Sequence, residues 1–475
     1  MIHHSLNRRR FLGASAAAFL GLPALQHNGL CQASETSGRP NIIFIMADDL
    51  GYADLGCYGQ QHIKTPNIDK LAAEGMRFTQ CYAGAPVCAP CRSVLMTGQH
   101  TGHTRVRGNH GINTPKHDGQ DGRIPLTPDD VTVAAALKEA GYATAITGKW
   151  GLGEPGSTGL PNDHGFDEWF GYLNQDHAPD YFTDYLWRNK ERRTIGQNLD
   201  GKRKVYSCDL FTEFCLNFIR ENKDNPFFLY YPTTIPHKKL EAPTLAPYED
   251  KPWPDAAKTF AAMVTRMDYH VGQIMTLLKE LDLDKKTIVF FTSDNGSAMG
   301  WEGMFDSCGP LREKKGSVYE GGIRVPMITR WPGRIPAGGT SDAIWYFADF
   351  LPTAAALARA TSPRNVDGIN VLPAILGEKA ELPERYLYWE LPHRTRGLQQ
   401  AVRQDDWKGV RFGFDQPLEL YNLKEDISER HNAAKQHPDI VGRMEAFLET
   451  AREPSPHWPV DGETKRISFF SCPAN

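Results

Sequence analysis

The sequence predicts an α/β protein. A large, mostly parallel sheet is sandwiched by helices, and a smaller C-terminal antiparallel sheet with one helix follows. Two observations predict this class. Short, largely apolar runs recur up to residue 292, which is typical of strands buried on both faces. Helical segments separate them, and strand, helix and strand in succession indicate a parallel sheet covered on both faces. The runs are residues 41–46, 143–147, 227–231 and 287–292.

Helix signals lie between these runs. Thr65-Pro66 begins a helix over residues 65–75, because threonine caps helices and proline suits the first helical position. Thr127-Pro128 begins a second helix over residues 127–141, with acidic residues in its first turn. Two further helices are predicted near residues 210–220 and 260–281.

The pattern of predicted secondary structure changes after about Asp367. Short candidate strands cover residues 385–390, 401–404 and 408–412, with a turn at Asp405-Asp406 and a last helix over residues 439–451. We therefore predict a large N-terminal domain over residues 38–366 and a smaller C-terminal subdomain over residues 367–475.

Composition excludes some classes of protein. The 475 residues are 40% hydrophobic, which fits a packed globular fold, and the net charge is −4 with a pI of about 6.5. There is no basic excess to neutralise phosphates, so nucleic acid is not expected as a generic partner. Of the nine cysteines, Cys31 lies in an N-terminal segment and Cys88 in a motif that are both described below. The remaining odd number does not indicate a disulfide framework.

The N-terminal segment has the features of an export signal. Three consecutive arginines, Arg8 to Arg10, precede an apolar stretch over residues 11–25 that is short for a membrane span. This pattern resembles a twin-arginine (Tat) signal peptide over residues 1–33, cleaved after Ala33. A periplasmic or secreted protein with no transmembrane segment in the mature chain is expected. An uncleaved anchor is the alternative.

Polar residues follow each of the four apolar runs, where ligands bind in open parallel sheets. Carboxylate and amide oxygens suit Ca²⁺ or Mg²⁺, with Ca²⁺ preferred. A single Asp-Asp pair would more often be a solvated helix start, but two such groups at two strand ends favour a metal. The residues in question are Asp48, Asp49, Lys149, His237, Asp294 and Asn295.

A reactive helix terminus is predicted around Cys88. Pro90 suits the first turn of a helix, which places Cys88 at its N-terminus, where unpaired N–H groups favour an anion. Arg92 lies four residues later, on the same helical face. Taken alone, Cys88 would be read as a buried small residue or a low-pKa thiol.

Several motifs in a fixed order resemble the formylglycine-dependent (type I) sulfatases of the alkaline phosphatase superfamily. Cys88-Ala89-Pro90-Cys91-Arg92 matches the Cys-x-Pro-x-Arg signature of that family. The resemblance covers nearly the whole mature chain. The other matching segments are residues 48–56, 65–69, 147–150, 236–237, 293–296, 315–316, 320–326 and 419–423.

The resemblance implies a mechanism and its cofactors. Cys88 would be oxidised to formylglycine (3-oxoalanine) by a maturation enzyme, and its hydrate would attack a sulfate ester with the help of one Ca²⁺. Asp48, Asp49, Cys88, Asp294 and Asn295 would be the metal ligands. Arg92, Lys149 and Lys315 would stabilise the charge that develops, and His237 would protonate the leaving alcohol.

Three positions depart from the family pattern. Cys91 stands where serine is common, Gln99 replaces a frequent basic residue, and Gly151 stands where many members carry a histidine that helps to release sulfate. His177 is the first candidate for a replacement base, with a surface or sugar-contacting role as the alternative. His164 is the second candidate, although its setting before Gly-Phe indicates a turn.

The sequence gives less information about the substrate than about the reaction. Arg105, Arg107 and Asn109 are candidates for a sugar-binding or second-sulfate pocket, and a solvated loop is the alternative. A sulfated carbohydrate is the expected substrate class, and an aryl sulfate an artificial one. A role in the core or at a domain contact is expected for most of the aromatic residues Trp169, Tyr181, Tyr185 and Trp187, and stacking on sugar faces is the alternative.

Two rival interpretations are considered. The first is a phosphate or phosphonate ester hydrolase of the same superfamily, against which the Cys88 motif and Asn295 speak. The second is an inactive secreted carbohydrate-binding homologue with an unmodified Cys88, which the presence of Lys149, His237 and Lys315 disfavours.

Overall fold

The computed structural model describes residues 38–110, 123–378, 382–393 and 397–458. The predicted signal peptide over residues 1–33 lies outside these ranges. The described residues from Arg39 onward form one compact unit that contains two sheets. In the part of the chain described, no helix is long and apolar enough to span a membrane.

Within the described ranges, the large sheet has eleven strands. Its order is β10-β2-β9-β8-β1-β7-β3-β4-β5-β6, and β11 pairs with β2. The central strands β8, β1, β7, β3 and β4 are mutually parallel, whereas β9, β5 and β6 run antiparallel to their neighbours. The strands are β1 (Asn41–Ala47), β2 (Met76–Tyr82), β3 (Ala143–Lys149), β4 (Glu168–Tyr172), β5 (Tyr185–Arg188), β6 (Glu191–Thr194), β7 (Phe227–Pro232), β8 (Thr287–Ser293), β9 (Arg324–Arg330), β10 (Gly339–Ser341) and β11 (Trp345–Tyr346).

Helices cover both faces of this sheet. Alternate residues of β1 enter opposite cores: Phe44 packs on one side and Ile45 on the other. The helices are α1 (Pro66–Ala73), α2 (Cys88–Thr97), α3 (Val133–Glu139), α4 (Ser207–Glu221), α5 (Asp255–Glu280), α6 (Glu320–Ile323), α7 (Phe350–Ala358), α8 (Leu372–Ile375) and α9 (Pro438–Thr450). The predicted fold class is confirmed.

The small sheet is antiparallel and carries α9 as its helix. Its order is β12-β13-β14-β15, formed by Leu387–His393, Gly397–Gln404, Trp407–Phe412 and Glu419–Asn422. A buried ion cluster joins the small sheet to the first residue of α6. Lys408 Nζ lies 2.9 Å from Glu320 Oε1 and 2.9 Å from Glu429 Oε1, and all three side chains are fully buried. The two sheets are therefore linked by charges that have no access to water.

One helix begins later than the sequence indicates. The prediction that a helix opens at Thr127-Pro128 is wrong, because α3 begins at Val133. Asp130 Oδ2 accepts hydrogen bonds from the Thr127 N–H at 2.7 Å and from the Thr127 hydroxyl at 2.9 Å, which closes a turn. Thr132 then caps the helix by accepting the Ala135 N–H at 3.2 Å.

Candidate active site

Four adjacent strands bring their polar ends to one edge of the large sheet. Asp48 follows β1, Lys149 ends β3, His237 lies in the segment after β7, and Asp294 follows β8. Because β8, β1, β7 and β3 are neighbours and parallel, their carboxyl ends lie side by side. The structure thus brings together residues that are far apart in sequence.

The helix that carries Cys88 points its N-terminus into this cluster. Helix α2 begins at Cys88, and Val87 before it makes no side-chain cap. Asn109 supplies one instead, because its Oδ1 accepts the Ala89 N–H at 3.0 Å. Cys88 Sγ lies 3.5 Å from Asp48 Oδ1 and 3.5 Å from Lys315 Nζ. The thiol is therefore held between a carboxylate and an ammonium group.

Three cations and three carboxylates alternate around Cys88. Arg92 Nη2 lies 2.8 Å from Asp294 Oδ2, and Lys149 Nζ lies 2.7 Å from Asp48 Oδ2. Lys315 Nζ lies 2.8 Å from Asp49 Oδ2. Apart from Lys315, these side chains are at most 1% exposed. Buried charges are stable only when they are paired, so each of these six side chains depends on its partner in the cluster.

An oxygen-rich corner lies beside the thiol. Asp49 adopts a left-handed backbone with φ of 68°, which lets two successive aspartates face the same cluster. Asn295 Nδ2 donates to Asp49 Oδ1 at 2.8 Å, while the buried Asn295 Oδ1 has no hydrogen-bond partner among the described residues. Ligand atoms of Asp48, Asp49, Cys88 and His237 all lie within 4.8 Å of one another. The predicted set had no imidazole, whereas His237 lies within this group.

Burial and charge shift the titration of these groups. Burial favours a protonated Asp48, yet Lys149, His237 and Arg92 outweigh it and hold its pKa well below the usual range. Burial, with the charge of Asp48, raises the pKa of Asp294 to about 6. Burial lowers the pKa of His237 to about 4. Burial also raises the pKa of Cys88 to about 12, so an unmodified Cys88 is a neutral thiol and a poor nucleophile.

Known proteins resemble this chain in both sequence and fold. The model of the sulfatase family matches residues 40–360, and that of the N-sulphoglucosamine sulphohydrolase C-terminal region matches residues 313–453. The chain belongs to the sulfatase family. It is 34% identical to the N-acetylgalactosamine-6-sulfatase of Canis lupus familiaris, over 79% of this chain and 74% of that protein.

Two further proteins resemble this chain over most of its length. The N-acetylgalactosamine-6-O-sulfatase of Bacteroides thetaiotaomicron is 30% identical over 88% of this chain and 94% of its own. The crystal structure of Ps i-CgsB in complex with k-i-k-neocarrahexaose superposes with a TM-score of 0.76 at 30% identity, covering 90% of this chain and 96% of that one. The activity of the family, hydrolysis of sulfate esters, is therefore that of this chain.

A glutamine occupies the space beside Gly151. Gly151 has φ of 84°, and a Cβ built on it would lie 2.0 Å from Gln175 Nε2. Gln175 is buried and donates from Nε2 to the Gly151 carbonyl at 3.1 Å, while its Oε1 has no partner among the described residues. No side chain fits at position 151 while Gln175 stays in place. The sequence indicates a Gln and a His in this stretch, but it does not show that Gln175 contacts Gly151, because the two residues meet only in the tertiary structure.

His177 lies in an aromatic stack at the edge of the sheet. The centroid of its ring lies 4.3 Å from that of Tyr185, on which it stacks, and 4.8 Å from that of Tyr172, which it meets edge-on. Its Nε2 lies 2.7 Å from Thr183 Oγ1. Within the described ranges, none of its ring or hydrogen-bond contacts is with Cys88 or the cations around it. Its role as a replacement base stays a prediction that this conformation does not support. His164 is buried at a turn, with Nε2 3.0 Å from the Thr158 carbonyl.

The candidate sugar-binding residues separate in the structure. Asn109 caps the helix of Cys88, as described above. Arg105 pairs with Asp130 at 2.7 Å. Arg107 is buried and donates to the Glu453 carbonyl at 2.8 Å, so it ties the loop after α2 to the C-terminal region. Only Asn109 of the three contacts the surroundings of Cys88.

Other predicted residues serve packing or structure. Trp169 and Tyr181 are fully buried in the cores, as expected for most of the aromatic cluster. Gln99 Nε2 donates to the Asn365 carbonyl at 3.2 Å. Cys208 and Cys215 are buried in α4, and the seven cysteines in the described part of the chain are all free thiols.

Proposed function

We propose that this sulfatase hydrolyses sulfate esters of carbohydrates through a formylglycine hydrate made from Cys88. The observation that carries the proposal is the setting of Cys88. A buried thiol stands at a helix N-terminus among Arg92, Lys149 and Lys315, a site built for an anion. The names of the relatives, two N-acetylgalactosamine sulfatases, support a carbohydrate substrate.

Conversion of Cys88 would remove a chemical limitation of the site. As a neutral thiol, Cys88 lacks the reactivity that a low pKa gives catalytic cysteines. A hydrated aldehyde supplies two hydroxyls on one carbon, one for attack on sulfur and the other for expulsion of sulfate.

The surrounding residues divide into two groups by exposure. Arg92 and Lys149 are buried and would stabilise the charge that develops on the sulfate oxygens. Lys315 and His237 have side chains that are each 18% exposed, so they flank the opening through which substrate reaches Cys88. They are the donors placed for the oxygen of the leaving alcohol.

The oxygen-rich corner fits a calcium ion. Carboxylates of Asp48, Asp49 and Asp294 and the partnerless Asn295 Oδ1 form a hard-oxygen donor set. These residues would hold the ion, and Cys88 after conversion would add an oxygen ligand. When bound, the ion supplies positive charge that polarises a sulfate oxygen.

Peptide mass spectrometry combined with kinetics tests the proposal. Protein made in a host with a maturation enzyme should carry the aldehyde or its hydrate at position 88 and hydrolyse a sulfated sugar. Cys88→Ala should abolish turnover, and its thermal unfolding should stay close to that of the parent protein. An active enzyme with only cysteine at this position would refute the mechanism. Preferred turnover of an aryl phosphate over an aryl sulfate would refute the substrate class.

A further inference from the structure

Two neighbouring cavities lie on the Lys315 side of the active site. The first, of about 590 Å³, is lined by Lys315, whose Nζ lies 3.5 Å from Cys88 Sγ. The second, of about 480 Å³, shares the lining residues Gly309 and Leu311 with the first. Both volumes fall in the range of pockets that enclose small ligands, roughly 300–1,000 Å³. A continuous path therefore leads from the reacting atom past Lys315 to the second cavity.

The substrate has few directions in which it can extend from Cys88. Lys315 and His237 have side chains that are each 18% exposed, whereas Arg92 and Lys149 are buried. The part of the substrate that does not react must therefore pass Lys315 or His237. Beyond Lys315, the two cavities give this part room for more than the group that reacts.

The second cavity carries positive charge. Its lining contains two arginines, Arg312 and Arg430, and among the described residues of the lining Glu429 is the only acid. The buried Glu429 carboxylate has partners inside the protein. Its Oε1 lies 2.9 Å from Lys408 Nζ, and its Oε2 accepts the Glu320 N–H at 2.7 Å. The two guanidinium groups therefore set the charge that the cavity presents.

Neutral groups hold Arg312 in place. Its Cζ lies 3.8 Å from the centroid of the Tyr319 ring, and its Nη1 donates to the Tyr421 hydroxyl at 3.1 Å and to the Glu429 carbonyl at 2.7 Å. Glu419 accepts hydrogen bonds from both tyrosine hydroxyls and does not line the cavity. Within the described ranges, Arg312 forms no ion pair. An anion would thus meet an ordered guanidinium, which lowers the entropy lost on binding.

Arg430 lies on the opposite wall of the cavity, in the turn after β15. Asp426 Oδ2 accepts the backbone N–H groups of Arg430 and His431, each at 2.8 Å, which fixes this turn. The Ser428 hydroxyl donates to the Pro310 carbonyl at 2.7 Å and so joins the two walls. The Arg430 side chain is exposed and forms no ion pair in the part of the chain that the structure describes. The backbone of the cavity is therefore held while a second cation stays available.

This positive charge has a consequence for substrate choice. The chain as a whole has a net charge of −4, which disfavours an approaching polyanion. Two opposite charges 4 Å apart in water favour binding by about fivefold, and more where water is partly excluded. Guanidinium groups also bind oxyanions through parallel N–H donors. A substrate with one anionic group at Cys88 and another in the second cavity suits this arrangement.

We propose that the second cavity is a subsite for a further anionic group, a sulfate or a carboxylate, on the leaving part of the substrate. Arg312 and Arg430 are its specificity-determining residues. The proposal rests on the proposed function, because it narrows the substrate class of the same site. The preferred substrates are accordingly oligosaccharides with a second anionic group, rather than sugars with a single sulfate.

The test compares three oligosaccharides that share the reacting sulfate. One has no other charge, one bears a further sulfate on the leaving part, and one bears a carboxylate there. The fully matured parent enzyme should prefer each doubly charged member by about tenfold or more in kcat/KM, mainly through KM, and less at high ionic strength. Arg430→Gln should reduce the preference to about threefold or less, and Arg312→Gln/Arg430→Gln should abolish it.

Two further variants separate charge from structure. Arg364→Gln is the matched control, because Arg364 is also exposed, forms no ion pair among the described residues and lines neither cavity. It should leave the preference unchanged. Arg430→Lys keeps the positive charge and should retain most of the preference. Since Arg430 is exposed, its variants keep the test decisive even if loss of Arg312, which stacks on Tyr319, unfolds the double variant.

The outcomes separate the two proposals. Equal kcat/KM for the three oligosaccharides, or a preference that Arg430→Gln leaves intact, overturns the anionic subsite alone. A preference for only one of the two anions overturns charge as its basis. Failure to hydrolyse any sulfated sugar, with aryl sulfate turnover intact, overturns the carbohydrate substrate class and the subsite with it.

Discussion

Substitution of Gly151 by alanine tests whether Gln175 fills the space next to the catalytic strand. The new Cβ would lie 2.0 Å from Gln175 Nε2, far inside van der Waals contact, so the amide must move. Moving it breaks the 3.1 Å hydrogen bond to the Gly151 carbonyl in a buried setting. The left-handed backbone, with φ of 84°, adds strain for any residue with a Cβ.

The expected cost follows from these two contributions. The left-handed conformation costs about 1–2 kcal/mol for a non-glycine residue. A buried polar group that loses its partner costs about 1–3 kcal/mol. Gly151→Ala should therefore lower the free energy of unfolding by roughly 2–5 kcal/mol, which is a large share of the stability of a typical domain.

Urea unfolding of a double-mutant cycle separates the two contributions. In a Gln175→Ala background, Gly151→Ala should cost only the strain, so the two substitutions should couple by about 1–3 kcal/mol. Gly333→Ala is a matched control for strain, because Gly333 has φ of 81° and nothing lies within 4 Å of a Cβ built there. Equal costs of Gly151→Ala in the two backgrounds would refute the reasoning.

Three further predictions concern catalysis, metal and pH. His237→Ala should slow hydrolysis of a sugar sulfate by about a hundredfold or more. Hydrolysis of an aryl sulfate should slow less, because phenolate can leave without a proton. Equal losses in kcat on the two substrates would argue for a structural role. Asp294→Ala should lose bound calcium, measured by elemental analysis, together with activity, and full activity without metal would contradict the ligand set. Burial, together with the charge of Glu320, raises the pKa of Glu429 from 4.5 to about 7. The folded state thus disfavours its ionised form, so stability should fall as pH rises through that window. Urea midpoints of Glu429→Gln should lack this slope, and an unchanged slope would contradict the assignment.

Four strands of the parallel centre of the sheet could be predicted from the sequence, whereas their neighbours β9 and β2 could not. The apolar runs of β1, β3, β7 and β8 leave no other reasonable assignment, and their parallel order brings the candidate site residues to one edge. Strand β2 was missed, because its sequence, MRFTQCY, mixes polar and apolar residues and half of it is only partly buried. Its identity depends on pairing with β9, which no local pattern encodes.

Within the candidate site, motif residues could be named, but their partners could not. Cys88, Arg92 and Lys149 lie in local motifs with a clear chemical reason for their positions. The contact of Gln175 with Gly151 could not be predicted, because it joins two segments that are close only in the folded chain. Arg107 was misplaced for the same reason: a basic residue near a reactive helix suggests an anion, and only the fold shows that it holds the C-terminal region.

The burial of Cys88 limits the stage at which its thiol can be modified. Only 1% of this residue is exposed, and every residue of α2 is buried with it. The proposed oxidation of Cys88 requires access to its Sγ, which the folded protein does not offer. Under that proposal, conversion and folding compete, and the fraction of active molecules depends on which is faster. Slowing the folding of α2, or supplying more of the oxidising enzyme, should raise specific activity without changing any residue of the mature site.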